Sequence, residues 1–364
     1  MIPCASPKSQ YLSYKNEIDK AINKVLNGEQ YILGNQVDLL EREFAEFIGT
    51  QYSLGVANGT DAIEIALRAL DVGWEDEVIT VSHTAVATIA AIESVGAKPV
   101  LVDIEDVFFG MDSNLLEEAI TSSTKALVLV HIYGQSGELD KIRSFCESHD
   151  IFLIEDVAQA HGALYKDKRL GSHGIVSCFS CYPTKNLGAI GDGGLIATND
   201  EQLHIKMEKI RQYGWLKKRS LIKGRNSRLD EIQAAILRIK LKNLDKDNTK
   251  RNRIADIYNP LESKNVQIPK IREFSTHVYH LYVCKVSNRD DLLKFLAKND
   301  VFAGIHYPEP VHTQPAYKNN INISGNLGIT EKISKEIISL PMFPELSLDN
   351  AFKVKSIIEE FYCK

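Results

Sequence analysis

One lysine stands out for its neighbours. The stretch Cys178 to Gly194 reads Cys-Phe-Ser-Cys-Tyr-Pro-Thr-Lys-Asn-Leu-Gly-Ala-Ile-Gly-Asp-Gly-Gly. An apolar run, Ile175 to Phe179, feeds a turn at Pro183, a single amine follows at Lys185, and glycines stand at Gly188, Gly191, Gly193 and Gly194. A solvated loop is the ordinary home of a lysine. Four glycines are an expensive accompaniment, justified where the backbone needs φ > 0 or a close approach to other atoms. The spacing Gly-x-x-Gly-x-Gly-Gly leads into the strand-like Leu195-Ile196-Ala197-Thr198 and not a helix, so neither the dinucleotide fingerprint nor the P-loop is matched. An amine set into a pocket at a strand end suits Schiff-base chemistry, because desolvation lowers an ammonium pKa and frees the nucleophile.

Two further constellations complement that amine. Asn58-Gly59-Thr60-Asp61 lies between a short strand, residues 53–57, and a run of good helix formers from Ala62 to Leu70. A glycine turn at a helix N-terminus collects free N–H groups and the positive end of the helix dipole, where a phosphate can sit, although an ordinary N-cap by Thr60 or Asp61 would look the same. Glu155 and Asp156 end the wholly apolar run Ile151 to Ile154. A carboxylate there is costly unless a cation or strong donors face it. A cation-seeking acid, an amine and a phosphate cradle are the needs of pyridoxal 5'-phosphate.

The elements that must position these groups alternate. Strand patterns at 53–57, 78–81, 99–102, 126–130, 151–154 and 175–179 are interleaved with helical periods at 14–26, 37–48, 62–70, 84–95, 114–120, 140–149 and 201–211. That alternation predicts an α/β protein with a mostly parallel sheet covered by helices, with ligands beyond the carboxyl ends of the strands. Ser227-Arg228-Leu229-Asp230 fits a capping box ahead of the apolar face Ile232, Ala235, Ile236 and Ile239. The charged helical stretch 240–253 reads as a boundary between a large domain, 1–245, and a small C-terminal α/β domain, 246–364. The small domain is expected to carry strands at 278–286 and 301–306, helices at 290–297 and 329–338, and a proline-stiffened loop from His306 to Tyr317.

Composition narrows the function classes. The chain has 364 residues, 44% of them hydrophobic and 25% charged, and a net charge of −5, with a pI near 6.1. That balance argues against nucleic acid or an anionic membrane as the main partner and for small molecules. The start, Met-Ile-Pro-Cys-Ala-Ser-Pro-Lys, lacks the pattern of a signal peptide, and no apolar stretch reaches membrane-spanning length, so a cytoplasmic protein is expected. The six cysteines are scattered, and in a strand Cys178 and Cys181 would point to opposite faces, which favours structural thiols. No metal-binding spacing appears among the ten histidines.

Taken together, Gly59-Thr60-Asp61-Ala62, Glu155 to Gly162, Ser180 to Gly188 and Asn226 to Ala235 resemble the sugar aminotransferases of the DegT/DnrJ/EryC1/StrS family. The resemblance runs from about Tyr31 to Tyr317. It implies the fold of the aspartate aminotransferases (fold type I). It also implies Lys185 as the lysine that binds the cofactor covalently, Asp156 as partner of the pyridine nitrogen and Gln159 near the ring hydroxyl. Gly59, Thr60 and Ser180 would hold the phosphate, joined by Asn226 from the other subunit of a homodimer with shared active sites. Tyr182 and His306 would lie on the substrate side. A branch of the family that carries histidine in place of the lysine consists of dehydratases, so Lys185 places this chain with the aminotransferases. One position departs from many relatives: Ala85 stands where an aromatic residue stacks on the cofactor, which leaves His83 as a candidate for that face. The run from His306 to Tyr317 looks most like members that aminate C3 of nucleotide-linked 3-keto-6-deoxyhexoses. The implied substrates are L-glutamate and a dTDP-3-keto-6-deoxyhexose, and the implied product a dTDP-3-amino-3,6-dideoxyhexose for surface glycan or antibiotic biosynthesis. The alternatives are C4 amination of a UDP- or GDP-4-keto sugar and a catalytically silent, cofactor-bound regulatory protein.

Overall fold

The computed structural model describes residues 1–318 and 320–363. Seven strands of the central sheet come from the first 198 residues: β1 (Tyr52–Val56), β2 (Glu77–Val81), β3 (Lys98–Val102), β4 (Thr124–Val130), β5 (Phe152–Asp156) and, after the hairpin of β6 (Leu164–Tyr165) and β7 (Lys168–Arg169), β8 (Val176–Ser180) and β9 (Gly194–Thr198). Their order is β1-β9-β8-β5-β4-β2-β3, and Asn322–Ile323 adds an eighth strand beside β3. From β8 to that edge every pairing is parallel, and only β9 runs against its neighbours. This is the mostly parallel α/β sheet that the strand and helix alternation predicts.

Burial explains the continuous apolar runs. Leu127 and Leu129 of β4 pack into one core cluster with the helices Asn35–Ile48 and Leu139–Ser148, while Ala126 and Val128 pack into another with Gly59–Ala69 and Val86–Ser94. Helices therefore cover both faces, and the side chains must be apolar on both. Cys178 and Cys181 fall into these two different clusters, on opposite faces, as fully buried free thiols.

A single helix, Glu231–Tyr258, links the sheet layer to a second core. Leu237, Leu241 and Leu244 belong to the sheet cluster, whereas Ile254, Ala255 and Tyr258 join a cluster with Ile2 and an antiparallel sheet of Val266–Gln267, Tyr282–Val286 and Ile337–Leu340. The helix continues without interruption through residue 245. Its first carboxylate, Glu231, accepts hydrogen bonds from Gly34, Gln36 and Val37 N–H at 2.8–2.9 Å, so it caps the helix Asn35–Ile48 from outside. The expected capping box is absent, because the helix starts only at Glu231 and Ser227 Oγ accepts instead from Ala57 N–H at 3.1 Å.

Towards the C-terminus, both strands expected from the sequence are shorter or lost. Residues 278–281 are drawn away from the sheet: Val278 N–H donates to Gly134 C=O at 2.8 Å and Leu281 N–H to Tyr133 C=O at 3.3 Å. The stretch 301–306 makes only isolated bridges, Ile2 with Val301 and Gly304 with Ser339. The helix expected at 329–338 ends at Glu336, and Ile337 starts a strand.

Close approach, and not unusual φ, explains the glycine cluster. Gly188, Gly191, Gly193 and Gly194 all lie outside the left-handed region. A Cβ on Gly194 would stand 2.4 Å from Asn58 C=O, and one on Gly188 would stand 2.6 Å from Pro183 C=O. Gly194→Ala is therefore expected to lower stability by about 1–3 kcal/mol through overpacking, measured as the urea unfolding midpoint of the purified protein. Gly73→Ala, whose new carbon would meet only Val95 C=O at 3.6 Å, should stay within about 0.5 kcal/mol of wild type.

Candidate active site

Lys185 sits in a loop fastened at each end. Cys181 N–H donates to Gly193 C=O and Ala189 N–H to Cys181 C=O, both at 2.8 Å, and Lys185 N–H closes a turn on Tyr182 C=O at 2.8 Å. The next residue, Asn186, is buried and bridges three segments: Nδ2 donates to Asn248 Oδ1 at 2.8 Å and to Val278 C=O at 3.0 Å, and Oδ1 lies 3.2 Å from His280 Nδ1. The buried Lys240 amine donates to Gly188 C=O at 2.5 Å and Gln10 Oε1 at 2.8 Å. The loop is thus pinned to the long helix, and Lys185 is held at the wall of a cavity.

The two acids at the end of β5 have separate tasks, because successive side chains on a strand point to opposite faces. Glu155 is fully buried and accepts from His131 Nε2 at 3.0 Å and from the N–H groups of Gly171, His173 and Gly174 at 2.7–2.9 Å. Burial would raise its carboxyl pKa, but the His131 hydrogen bond and charge and the backbone donors outweigh that and bring it down to about 2. Asp156 faces the cavity, accepting from Thr88 Oγ1 at 3.0 Å and Ala158 N–H at 3.1 Å. Burial pushes Asp156 above the usual carboxylate range despite those donors and the Lys185 charge. Its carboxylate is therefore incompletely compensated, which fits a protonated ring nitrogen. Burial also pushes the Lys185 ammonium down to about 8, with Asp156 opposing the shift.

The helix Gly59–Ala69 presents its N-terminus to the same cavity. The cap is Asn58, two residues before the Thr60 and three before the Asp61 that the sequence offers for that role, and its side chain accepts from Asp61 N–H at 2.8 Å. Gly59 and Thr60 N–H have no acceptor among the described residues. A Cβ on Gly59 would lie 2.7 Å from Ser180 Cβ, so only glycine lets the helix end approach the serine hydroxyl. Two N–H groups, a hydroxyl and a helix dipole form a cradle suited to phosphate.

Two cavities meet at Lys185. One, of about 280 Å³, is lined by Gly59, Thr60, Asp156, Ser180 and Ala85 among others. The second, of about 390 Å³, is lined by His306, Tyr307, His280 and Cys4 among others. Lys185, Gln159 and Tyr182 line both. Gln159 Oε1 accepts from Tyr133 N–H at 2.8 Å and its Nε2 donates to Tyr307 Oη at 3.1 Å. His306 places Nδ1 2.8 Å from Ser339 Oγ, and burial with the nearby Lys185 charge lowers its imidazole pKa to about 4.

Eight of the ten residues singled out from sequence thus converge. Asn226 does not: it is exposed and lines neither cavity of its own chain, next to Arg225, which pairs with Glu64 and, at 3.1 Å, with Asp61. His83 does not reach the cavity either; it is buried behind it with Nε2 2.6 Å from Tyr133 Oη, and Ala85 lines the wall instead. Sequence reasoning missed Thr88, Asn186, Tyr133 and Tyr307. Only Tyr307, inside the proline-stiffened loop, carried a local signal.

Comparison with known proteins bears on this arrangement. The DegT/DnrJ/EryC1/StrS aminotransferase family model matches residues 13–359. A dTDP-3-amino-3,6-dideoxy-alpha-D-galactopyranose transaminase from Aneurinibacillus thermoaerophilus is 44% identical over 363 residues, 99% of each chain. A pleiotropic regulatory protein from Geobacillus stearothermophilus is 41% identical over 366 residues, 99% of this chain and 98% of the relative. The crystal structure of Streptomyces venezuelae DesV in complex with a ketimine intermediate superposes with a TM-score of 0.97 at 38% identity, covering 100% of this chain and 99% of that one. Sheet, lysine and cavity define a pyridoxal-phosphate-dependent aminotransferase. The chain belongs to the DegT/DnrJ/EryC1/StrS aminotransferase family.

The lowered Lys185 value has a measurable consequence in the cofactor-free protein. With about 8 in the folded state against an ordinary 10.5, the unfolded chain binds more protons between those values, so stability contributed at this site rises with pH across that window. Relative to Lys185→Met, wild type should gain about 1–3 kcal/mol between pH 8 and 10.5. Urea midpoints of both proteins at the two ends of the window check the sign.

Proposed function

We propose that this aminotransferase moves the amino group of L-glutamate to C3 of a dTDP-linked 3-keto-6-deoxyhexose, as a cytoplasmic homodimer with shared active sites. The observation that carries this reading is the position of Lys185, at the junction of a cavity with an anion cradle and a second cavity walled by His306 and Tyr307. The name of the Aneurinibacillus relative supports the sugar and the carbon.

The residues present fit pyridoxal phosphate. Gly59 and Thr60 N–H and the Ser180 hydroxyl would hold the phosphate, Asp156 the ring nitrogen, Gln159 the ring hydroxyl, and Lys185 the covalent attachment. When bound, the cofactor supplies an electron-accepting ring that spreads the charge left on a carbon after its proton is removed. Lys185 is the group that moves the proton, since an amine near 8 is partly free base at neutral pH and can both accept and return it. Asp156, lacking full compensation, retains the proton on the ring nitrogen. Tyr182, half exposed and on the wall of both cavities, stands where glutamate and then sugar would enter. Glutamate leaves as 2-oxoglutarate, its keto oxygen taken from one water, and the sugar ketone oxygen leaves as another, so the exchange consumes and releases one water.

Because Asn226 lies outside its own cavities, its role requires the partner subunit. The exposed side chains of Tyr213, Trp215, Leu216, Leu221 and Ile222 on the adjoining hairpin offer an apolar surface for that contact. A second reading, a cofactor-bound regulator without turnover, is favoured by the name of the Geobacillus relative. A donor-dependent assay against dTDP-, UDP- and GDP-linked 3-keto and 4-keto sugars, with NMR of the product to place the amine, separates these readings. Turnover with none supports the regulator, and an amine at C4 overturns the position.

Two substitutions test the assignments. Lys185→Ala and Asn226→Ala homodimers should each be inactive, and mixing them under conditions of subunit exchange should restore up to about a quarter of wild-type activity, since one site of the heterodimer carries both lesions and the other neither. Exchange without recovery places Asn226 in its own subunit's site. His306→Asn should lower kcat/KM for the keto sugar by about tenfold to a hundredfold, the loss of one hydrogen bond worth about 1–3 kcal/mol, while the glutamate half-reaction, followed by cofactor absorption, keeps its rate.

A further inference from the structure

Behind the second cavity lies a residue that is hydrogen-bonded to three of its lining residues, and through one of them to a fourth, and is itself not among the lining residues. Tyr133 occupies the short turn Ile132–Gly134 that follows β4, with φ 62°, a left-handed conformation uncommon in a non-glycine residue. Its side chain is buried, 3% exposed. Its N–H donates to Gln159 Oε1 at 2.8 Å, and the far end of that amide donates to Tyr307 Oη at 3.1 Å. Its C=O accepts from Leu281 N–H at 3.3 Å. Its hydroxyl donates in a short hydrogen bond to His306 C=O, and the same oxygen lies 2.6 Å from His83 Nε2. Gln159, Tyr307, Leu281 and His306 all line the second cavity.

The proton arrangement follows from the donors. A hydroxyl that gives its hydrogen to a carbonyl can meet the imidazole only as an acceptor, so His83 carries its hydrogen on Nε2. Burial keeps that imidazole neutral, with its pKa pushed down to about 4, and raises the phenol well above its ordinary value, so both stay neutral donors across the working pH range. Phe109 packs edge-on against the Tyr133 ring at 5.7 Å, fixing the ring independently of the hydroxyl.

We propose that Tyr133 is the positioning residue of the acceptor side: its hydroxyl, fed by His83, fixes the His306–Tyr307 backbone, while its strained main chain fixes Gln159 and Leu281. A loop from the C-terminal third of the chain is thereby held in register with the large-domain site by a group that touches neither cofactor nor substrate. The proposal rests on the reading that the sugar occupies the cavity walled by His306 and Tyr307.

Tyr133→Phe removes the hydroxyl and keeps the ring, the turn and the bond to Gln159. In the holoenzyme, amide hydrogen exchange of a peptide covering Ile305 to Pro310 should become at least about tenfold faster, and the KM for whichever keto sugar wild type accepts should rise by about tenfold with kcat within about threefold, on the scale of one lost hydrogen bond to a loop. Cofactor absorption and the rate of the glutamate half-reaction should not move. His83→Leu, which removes the donor to that hydroxyl and replaces the imidazole packed beside Tyr133 and Phe109 with an apolar side chain, should shift exchange and KM in the same direction by a smaller factor, and it keeps the question open to measurement if Tyr133→Phe fails to fold. Unchanged exchange of the peptide overturns the proposal, as does an equal loss in both half-reactions. Faster exchange with an unchanged sugar KM leaves Tyr133 holding the loop but removes the sugar from that cavity, so failure of the substrate reading is distinguishable from failure of the positioning role.

Discussion

The architecture of the site depends on one adjacency, Glu155 beside Asp156 at the end of β5. A strand turns neighbouring side chains to opposite faces, so a single strand end serves two electrostatic tasks. On one face Glu155 is saturated with donors and ties the loop Gly171 to Gly174, which leads into β8, to the end of β5. On the other face Asp156 is left short of donors beside Lys185. Were Glu155 unsatisfied, the desolvation of a buried carboxylate would work against the strand order itself; were Asp156 saturated, it would have little left to offer a ring nitrogen.

Around that adjacency the structure distributes rigidity unevenly. Lys185 belongs to a loop, yet its neighbours are bonded to the long helix, to the segment around Val278 and to the N-terminal helix residue Gln10. The walls facing the acceptor come from another stretch of chain, in which His306 and Tyr307 are bonded to Tyr133 and Gln159 on one side and His306 to Ser339 of the second core on the other. Chemistry that must not vary and recognition that can vary are thus set on differently anchored regions of the molecule.

The sheet, most of the helices and the chemical core of the site were legible because each rests on a local pattern. Continuous apolar runs marked strands buried on both faces, and a lysine followed by glycines marked a crowded loop. What stayed hidden is non-local. Glu231 caps a helix nearly 200 positions away, Asn186 bridges segments with no sequence relation to one another, and Tyr133 acts through a left-handed backbone that no residue type announces. The reason given by the residues for the four glycines was half right, since close approach applies and positive φ does not. The strands that the sequence predicts at 278–286 and 301–306 are shortened or lost because backbone groups of these segments find partners outside a sheet.

The helix Glu231–Tyr258 has a consequence for how this chain can change over evolutionary time. It enters with a capping carboxylate at one end and finishes in the second core at the other, with 28 residues in all. Inserting or deleting one residue would rotate everything downstream by about 100° and shift it by about 1.5 Å, tearing Asn248 from Asn186 and Arg251 from the carbonyls of Tyr279 and Met342. Changes of length are therefore excluded from this segment and diverted to the connections after it. New acceptor preferences can arise by altering the loop that follows His306, while the distance between the amine and the second core is inherited as a fixed measure.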